Sequence, residues 1–516
     1  MDIYKIKDTL STKRFRDTFC AVLVVLMISM QMLVLSVNGW DGRLNYMSLI
    51  HVLSRIVFVI VVVRSVRFGN LAFKMYGAYL VWYIITRPLC GDMALSNSLD
   101  QIVLQMFFLC LMSYAYSLDS SGRNKLFIAI AYVVLAFYFV ISIAAICAAV
   151  SRTTISLPFY IDIGIVSNYI TLIALNRNWV GDQLCIAFCL GLCLLAYQRK
   201  NWARVLIAFA SFVTYIALGL TRSRTSMIAA AVSLTMACML FALNKVKTVS
   251  DLKRTLISLA MVILLLPCFY KMYDLTGSVV NRANSIYERA NVTEVVNEAL
   301  FADKTEENSD SNEVLKEAET VAEADTLFVE KRSKKQLLRL SGRSAIWYSG
   351  AVLLINDPQR LLYGSADYMD IINIVKYNLG EKRPNGSMHN TLYEVLMSTG
   401  LLGMLFFGLF VLILVVRMIK VFYSKDVDIF IKMLTIPIAA ELIKSLAESI
   451  IVGSQNVTNY IFFLVAGIFL SYSYELFPEK KRWGRRKGKA QSANDASSTA
   501  IDEAAAKQTL AEQVTL

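Results

Sequence analysis

The chain has 516 residues, 56% of them hydrophobic and only 18% charged, and its apolar residues fall into many separate blocks, each long enough to cross a hydrocarbon core of about 30 Å. So many helices apolar on every side exceed what a soluble core can bury, which excludes a soluble globular protein and defines an all-α, polytopic membrane protein. The formal net charge of +13 sits in short loops and in the tail "EKKRWGRRKGK", so it is read as topogenic and not as a nucleic-acid footprint.

The first apolar block, Phe19 to Val37, follows Lys5, Lys7, Lys13, Arg14 and Arg16 and resembles a signal peptide. No small-residue cleavage site follows it in "NGWDGRLNYM", so it is read as a retained first span. Further spans are predicted at Ser48 to Val66, Leu71 to Arg87, Gln101 to Leu118, Lys125 to Val150, Gly181 to Gln198, Val205 to Leu220, Thr225 to Leu243 and Thr255 to Tyr270. After a long interval come Thr391 to Val416, Ile429 to Ile450 and Val457 to Tyr474, which makes about twelve. With a cytoplasmic N-terminus, alternate loops carry the basic residues, from Arg64 and Arg67 through Lys253 and Arg254 to Arg417 and Lys420. That bias places both termini in the cytoplasm.

The resulting organisation is spans one to nine over 1–270, a large extracytoplasmic loop over 271–390, spans ten to twelve over 391–476, and a basic then polar cytoplasmic tail over 477–516. The 9 Cys lie mostly inside apolar blocks and form no disulfide framework. Cys185, Cys189 and Cys193 repeat at i, i+4, i+8; this is read as small thiols packed in the bundle, against the alternative of a metal stripe.

The long loop has two characters. An acidic insertion over 293–330 lacks an apolar run of transmembrane length and is read as solvated helix or partly disordered chain. Beyond it, Ser341 can cap a helix whose Ile346, Trp347, Gly350, Ala351 and Leu354 make an apolar stripe suited to the membrane interface. Pro384, Asn385 and Gly386 then turn the chain back, delivering His389 and Asn390 to the start of the tenth span.

Several polar residues gather on the extracytoplasmic side. "TRSRTS" carries Arg222 and Arg224, and Arg343 lies in the first turn of the loop helix. A guanidinium holds phosphate oxygens with a planar fork of donors, so these three are candidates for gripping a lipid-linked diphosphate. The alternative is that either arginine of the pair only snorkels to headgroups, and that Arg343 is a solvated charge. Arg87, at the outer end of the third span, is a secondary phosphate candidate.

His389 is one of only 2 His in the chain. A neutral imidazole can take the proton of an attacking sugar hydroxyl, or it can be a hydrogen-bonded residue at the mouth of a helix. Asn390 can cap that helix or orient the imidazole. Glu441, Lys444 and Glu448 share one face of the eleventh span; the first two are read as a neutralising pair, and Glu448, near the outer end, as a substrate contact. No Cys or carboxylate cluster at ligand spacing accompanies His389, so no metal and no cofactor are expected.

Four stretches, "TRSRTSMIAAAVSL", "LNRNWVGDQLCIAFCLGLCL", "SGRSAIWYSGAVLLINDPQRLLYGSADY" and "HNTLYEVLMSTGLLGMLFF", resemble the O-antigen ligase and O-antigen polymerase superfamily of bacterial envelope glycosyltransferases, over roughly Trp179 to Phe422. The resemblance implies a metal-independent, inverting transfer of a glycan from undecaprenyl diphosphate to an acceptor sugar hydroxyl, on the outer face of the bacterial plasma membrane. The expected partners are that lipid-linked donor, a glycan or lipid-glycan acceptor and membrane lipids. Carried over by position, Arg224 and Arg343 hold the diphosphate and His389 activates the acceptor hydroxyl. The acidic insertion has no counterpart in the family pattern. A competing class is a transporter, such as a flippase for lipid-linked glycans, which would show repeat symmetry or interrupted spans meeting near the midplane.

Overall fold

The computed structural model describes residues 13–36, 43–63, 66, 68–89, 95–151, 153–157, 161–166, 169–172, 177–245, 253, 256–268, 271, 275, 343–364, 389–448 and 456–478. The acidic insertion, the Pro384–Gly386 turn and the basic tail lie outside them. The chain divides into two compact units, Met1–Ser471 and Tyr472–Leu516; the described part of the second is chiefly the final turn of a helix, in which Phe477 N donates to Ser473 O.

Helices dominate: α1 (Lys13–Ser36), α2 (Arg43–Val63), α3 (Leu71–Leu89), α4 (Leu95–Ser117), α5 (Ser120–Ser151), α6 (Arg177–Tyr197), α7 (Asn201–Leu220), α8 (Arg224–Lys245) and α9 (Leu256–Cys268). Past the undescribed loop come α10 (Arg343–Ile355), α11 (Pro358–Tyr363), α12 (Thr391–Tyr423), α13 (Ile429–Met433), α14 (Thr435–Ser445) and α15 (Val457–Leu476). Among the described residues 7 helices are long and apolar enough to cross a membrane, and 4 shorter apolar helices accompany them. Each coincides with a predicted span. Lipid-facing and core-facing sides are distinct. On α7, Val205, Leu206, Phe209 and Phe212 are exposed while Ile207, Ser211, Thr214 and Leu218 are buried, as a helix at the edge of a bundle in lipid requires.

Aromatic interdigitation fixes the centre. Tyr76 and Tyr79 of α3 meet Phe410 and Phe407 of α12 at 5.1 and 5.3 Å, and Phe108 of α4 stacks on Phe463 of α15 at 4.5 Å. Gly467 lets α15 approach α4 closely, since a Cβ there would stand 2.3 Å from Met112 O. The cysteine stripe on α6 is packed as read: Cys189 donates to Ser233 Oγ at 3.3 Å and Cys193 to Met433 O at 3.2 Å.

Three departures from the predicted helices have local causes. The eleventh span, expected to run unbroken from Ile429, is interrupted at Leu434 between α13 and α14. Pro437 lacks the N–H that would bond Met433 O, and the Cys193 thiol occupies that carbonyl instead. The tenth span breaks at Gly400, whose φ of 66° and ψ of −168° leave the helix. Thr399 O, freed by that break, accepts from Trp82 Nε1 at 2.9 Å. The third is a small sheet in an otherwise all-α chain. Between α5 and α6 an antiparallel meander forms from β1 (Ile155–Leu157), β2 (Ile161–Val166) and β3 (Tyr169–Leu172). Its β-branched residues suit a pleated surface, and only two residues separate the paired Val166 and Tyr169.

Candidate functional site

His389 stands just before the N-cap of α12 in a left-handed backbone conformation, φ 52°. Asn390 is the N-cap: its Oδ1 accepts from Leu392 N at 2.9 Å and Tyr393 N at 3.1 Å. Its amide faces the other way and donates to Leu446 O at 2.8 Å. Thr391 Oγ1 donates to Glu448 O at 3.2 Å. These bonds lace the first residues of α12 to the turn that follows α14.

Glu448 is the hub of that turn. Its Oε2 lies 3.1 Å from His389 Nδ1 and its Oε1 accepts from Asn178 Nδ2 at 2.9 Å. A carboxylate only accepts, so Nδ1 carries the proton and Nε2 becomes the basic nitrogen of the neutral ring. The His389 side chain is 21% exposed and that of Glu448 9%, so the pair is reachable through the imidazole.

The second half of the site is the corner between α7 and α8. Thr221 ends α7, its Oγ1 donating to Leu218 O at 2.8 Å and accepting from Ser223 N at 3.2 Å. Arg222 stands at φ 54°, the conformation in which helices commonly terminate and which glycine ordinarily supplies. Ser223 O then accepts the first bond of α8, from Met227 N. Arg224, the first residue of α8, is exposed, and Arg222 is half-buried. Among the described residues, Arg222 and His389 are the non-glycine positions with positive φ. Such strain, on the order of 1–2 kcal/mol each, gathers where function over-determines a residue's placement.

α6 ties the two halves together. Asn178 holds Glu448, and one turn further on Asp182 Oδ1 accepts from Ser226 Oγ at 2.7 Å. Gly181 lets the corner approach, since a Cβ there would lie 2.6 Å from Ser223 Cβ. Asp182 and Asn178 are absent from the sequence-predicted site. The signal for Asp182 was present: a carboxylate inside an apolar span is costly and marks a paired or functional site.

The remaining candidates divide. Glu441 and Lys444 form the expected pair at 2.8 Å, both fully buried. Arg343 is the first residue of α10 and Arg87 lies in the last turn of α3; the side chains of both, and the expected cap at Ser341, lie outside the described residues. The stripe of α10 rests on α12, with Trp347 stacked on Tyr393 at 5.6 Å and Leu354 buried against Met397. Beside it lies a cavity of about 340 Å³ whose lining includes Leu354, Leu361, Tyr393, Leu396 and, as its polar member, Asn390.

Fold and site together define a multi-pass membrane protein with a strained, charge-bearing cluster at one end of its helical bundle. Residues 209–408 match the family model described as Wzy_C, O-Antigen ligase. Over that stretch, which is less than half of the chain, the protein is similar to the O-antigen ligase family. The matched stretch contains Arg222, Arg224, Arg343, His389 and Asn390, whereas Asn178, Asp182, Lys444 and Glu448 lie outside it. Neither a curated protein nor a solved structure matches the chain.

Proposed function

We propose that the protein transfers a glycan from undecaprenyl diphosphate to an acceptor sugar hydroxyl on the outer face of the bacterial plasma membrane. The observation that carries this reading is the His389–Glu448 pair at 3.1 Å, joined through α6 to the Arg222–Arg224 corner. His389 Nε2 takes the acceptor hydroxyl proton as that oxygen attacks the anomeric carbon. The carbon–oxygen bond to the diphosphate breaks, the diphosphate leaves with the electron pair, and one displacement from the opposite face inverts the centre. Glu448 holds the ring's tautomer and stabilises the imidazolium that forms. Arg224, Arg343 and Arg222 take up the leaving charge, with Arg87 as a secondary contact. The apolar cavity beside Asn390 suits the first isoprene units of the carrier.

The test is transfer in proteoliposomes from a labelled undecaprenyl-diphosphate glycan, comparing the unaltered chain with His389→Ala and Arg343→Ala. Both substitutions are expected to abolish transfer, and activity that survives both ends the assignment. A ladder of products identifies a polymerase, and a single added block a ligase.

One observation favours a second reading, movement of a lipid-linked glycan across the bilayer: α12 is interrupted at Gly400, as spans of transporters often are. Flipping of a fluorescent diphosphate lipid in the same proteoliposomes, without acceptor, separates the two.

A further inference from the structure

α6 and the end of α14 face each other through two pairs of residues one helical turn apart. On α6 these are Asn178 and Asp182; on α14 and its terminal turn, Lys444 and Glu448, where Glu448 N donates to Lys444 O at 2.9 Å. Asn178 holds Glu448. Lys444 Nζ donates to the Asp182 carbonyl oxygen at 3.2 Å and lies 3.8 Å from its carboxylate. Asp182 in turn accepts from Ser226 Oγ, and Ser226 Oγ is 2.9 Å from Oγ of Ser223, the residue between Arg222 and Arg224.

Each of these four, Lys444, Asp182, Ser226 and Ser223, is at most 1% exposed, so none reaches a substrate. Nor does a simple structural ion pair account for the arrangement. Glu441 at 2.8 Å already balances the charge of Lys444, and a second carboxylate in the interior adds desolvation cost that the pair does not need. What Asp182 adds is direction: it connects the lysine to the hydroxyls on which the arginine corner rests.

We infer that Lys444, Asp182 and Ser226 are positioning residues that hold the Arg222–Arg224 corner in register with His389 and Glu448. Register matters because a misplacement of about 1 Å between reacting groups can cost on the order of 10²-fold in rate. The inference rests on the proposed transfer only in taking the two arginines to hold the diphosphate.

The test measures binding of undecaprenyl diphosphate and of undecaprenol to the purified full chain in detergent. The unaltered chain is expected to prefer the diphosphate. Ser226→Ala and Asp182→Ala should lower that preference about tenfold and leave undecaprenol affinity unchanged, while Asp182→Asn, which keeps an acceptor for Ser226, stays within about threefold. A merely structural role would weaken both lipids alike. If Asp182→Ala does not fold, Ser226→Ala, which removes one hydroxyl, decides. Ser226→Ala that keeps the full preference overturns the inference while the transfer reading stands. An unaltered chain without preference, or Arg224→Ala that keeps it, overturns the diphosphate role of the corner and this inference with it.

Discussion

His389 Nδ1 lies 3.1 Å from Glu448 Oε2, and the two residues are held to that distance by backbone as well as side chain, because Thr391 and Asn390 bond the same turn. In the proposed transfer the carboxylate's task is to fix one tautomer and stabilise the charged ring. Glu448→Gln keeps the shape and the Asn178 contact but removes the charge. It is expected to lower the transfer rate on the order of 10²-fold with folded yield unchanged. Initial rates in proteoliposomes check this, and a rate within about threefold of the parent's would make Glu448 a structural partner only.

Asn390 has two separable duties. Asn390→Asp keeps the cap on Leu392 and Tyr393 but loses the donor to Leu446 O and adds a charge near Glu448. Asn390→Ala loses both and should cost about 1–2 kcal/mol of stability. If the tether to Leu446 positions His389, Asn390→Asp, which leaves Leu446 O without its donor, should fall well below the parent in transfer while losing no more than about 1–2 kcal/mol in thermal unfolding. Parity in both measurements would reduce Asn390 to a helix cap.

Arg222 occupies a position whose backbone favours glycine, φ 54°. Arg222→Gly should be neutral or stabilising by up to about 1 kcal/mol, while weakening undecaprenyl-diphosphate binding. Opposite signs for stability and binding would mark the arginine as retained for function. A loss of stability without a change in binding would mark it as structural.

The sequence disclosed what depends on run length and on rarity. Apolar blocks located the spans, and two histidines in the whole chain made His389 conspicuous. The cap at Asn390 followed from local residue types. What escaped was set by partners far along the chain. Asp182 meets Lys444 across 262 positions, and nothing in its own neighbourhood announces a lysine. The break at Leu434 was half legible in Pro437, but its tolerance depends on Cys193 supplying a donor from another helix. The β meander was hidden because three strands of 3–6 residues leave too little periodicity to separate them from a loop.

The interruption of α12 should be sensitive to one methyl group. A Cβ at Gly400 would lie 2.3 Å from Leu362 O, and one at Gly364 would lie 2.4 Å from Thr399 N. Both glycines also have positive φ, so the α11 terminus and the break interlock backbone to backbone. Gly400→Ala is expected to destabilise by at least about 2 kcal/mol, from strain plus contact. Trp82→Phe, which frees Thr399 O and leaves a smaller ring against Tyr363, should cost less, about 1 kcal/mol. Thermal unfolding in detergent ranks them, and the reverse order would mean the Trp82 bond secures the break.

The buried charges predict an asymmetry. Glu441→Leu removes one carboxylate and leaves Lys444 with Asp182, at 3.8 Å from its carboxylate and 3.2 Å from its carbonyl oxygen. Lys444→Met instead leaves Glu441 and Asp182 as two interior carboxylates without their shared cation, a loss on the order of 3–5 kcal/mol. Lys444→Met should therefore unfold at clearly lower temperature than Glu441→Leu, and a second change, Glu441→Leu in the Lys444→Met background, should recover part of the difference. Equal losses for the two single variants would mean that Asp182 does not share the lysine. The corner of α7 and α8 would then rest on Ser226 and Asp182 without reference to α14.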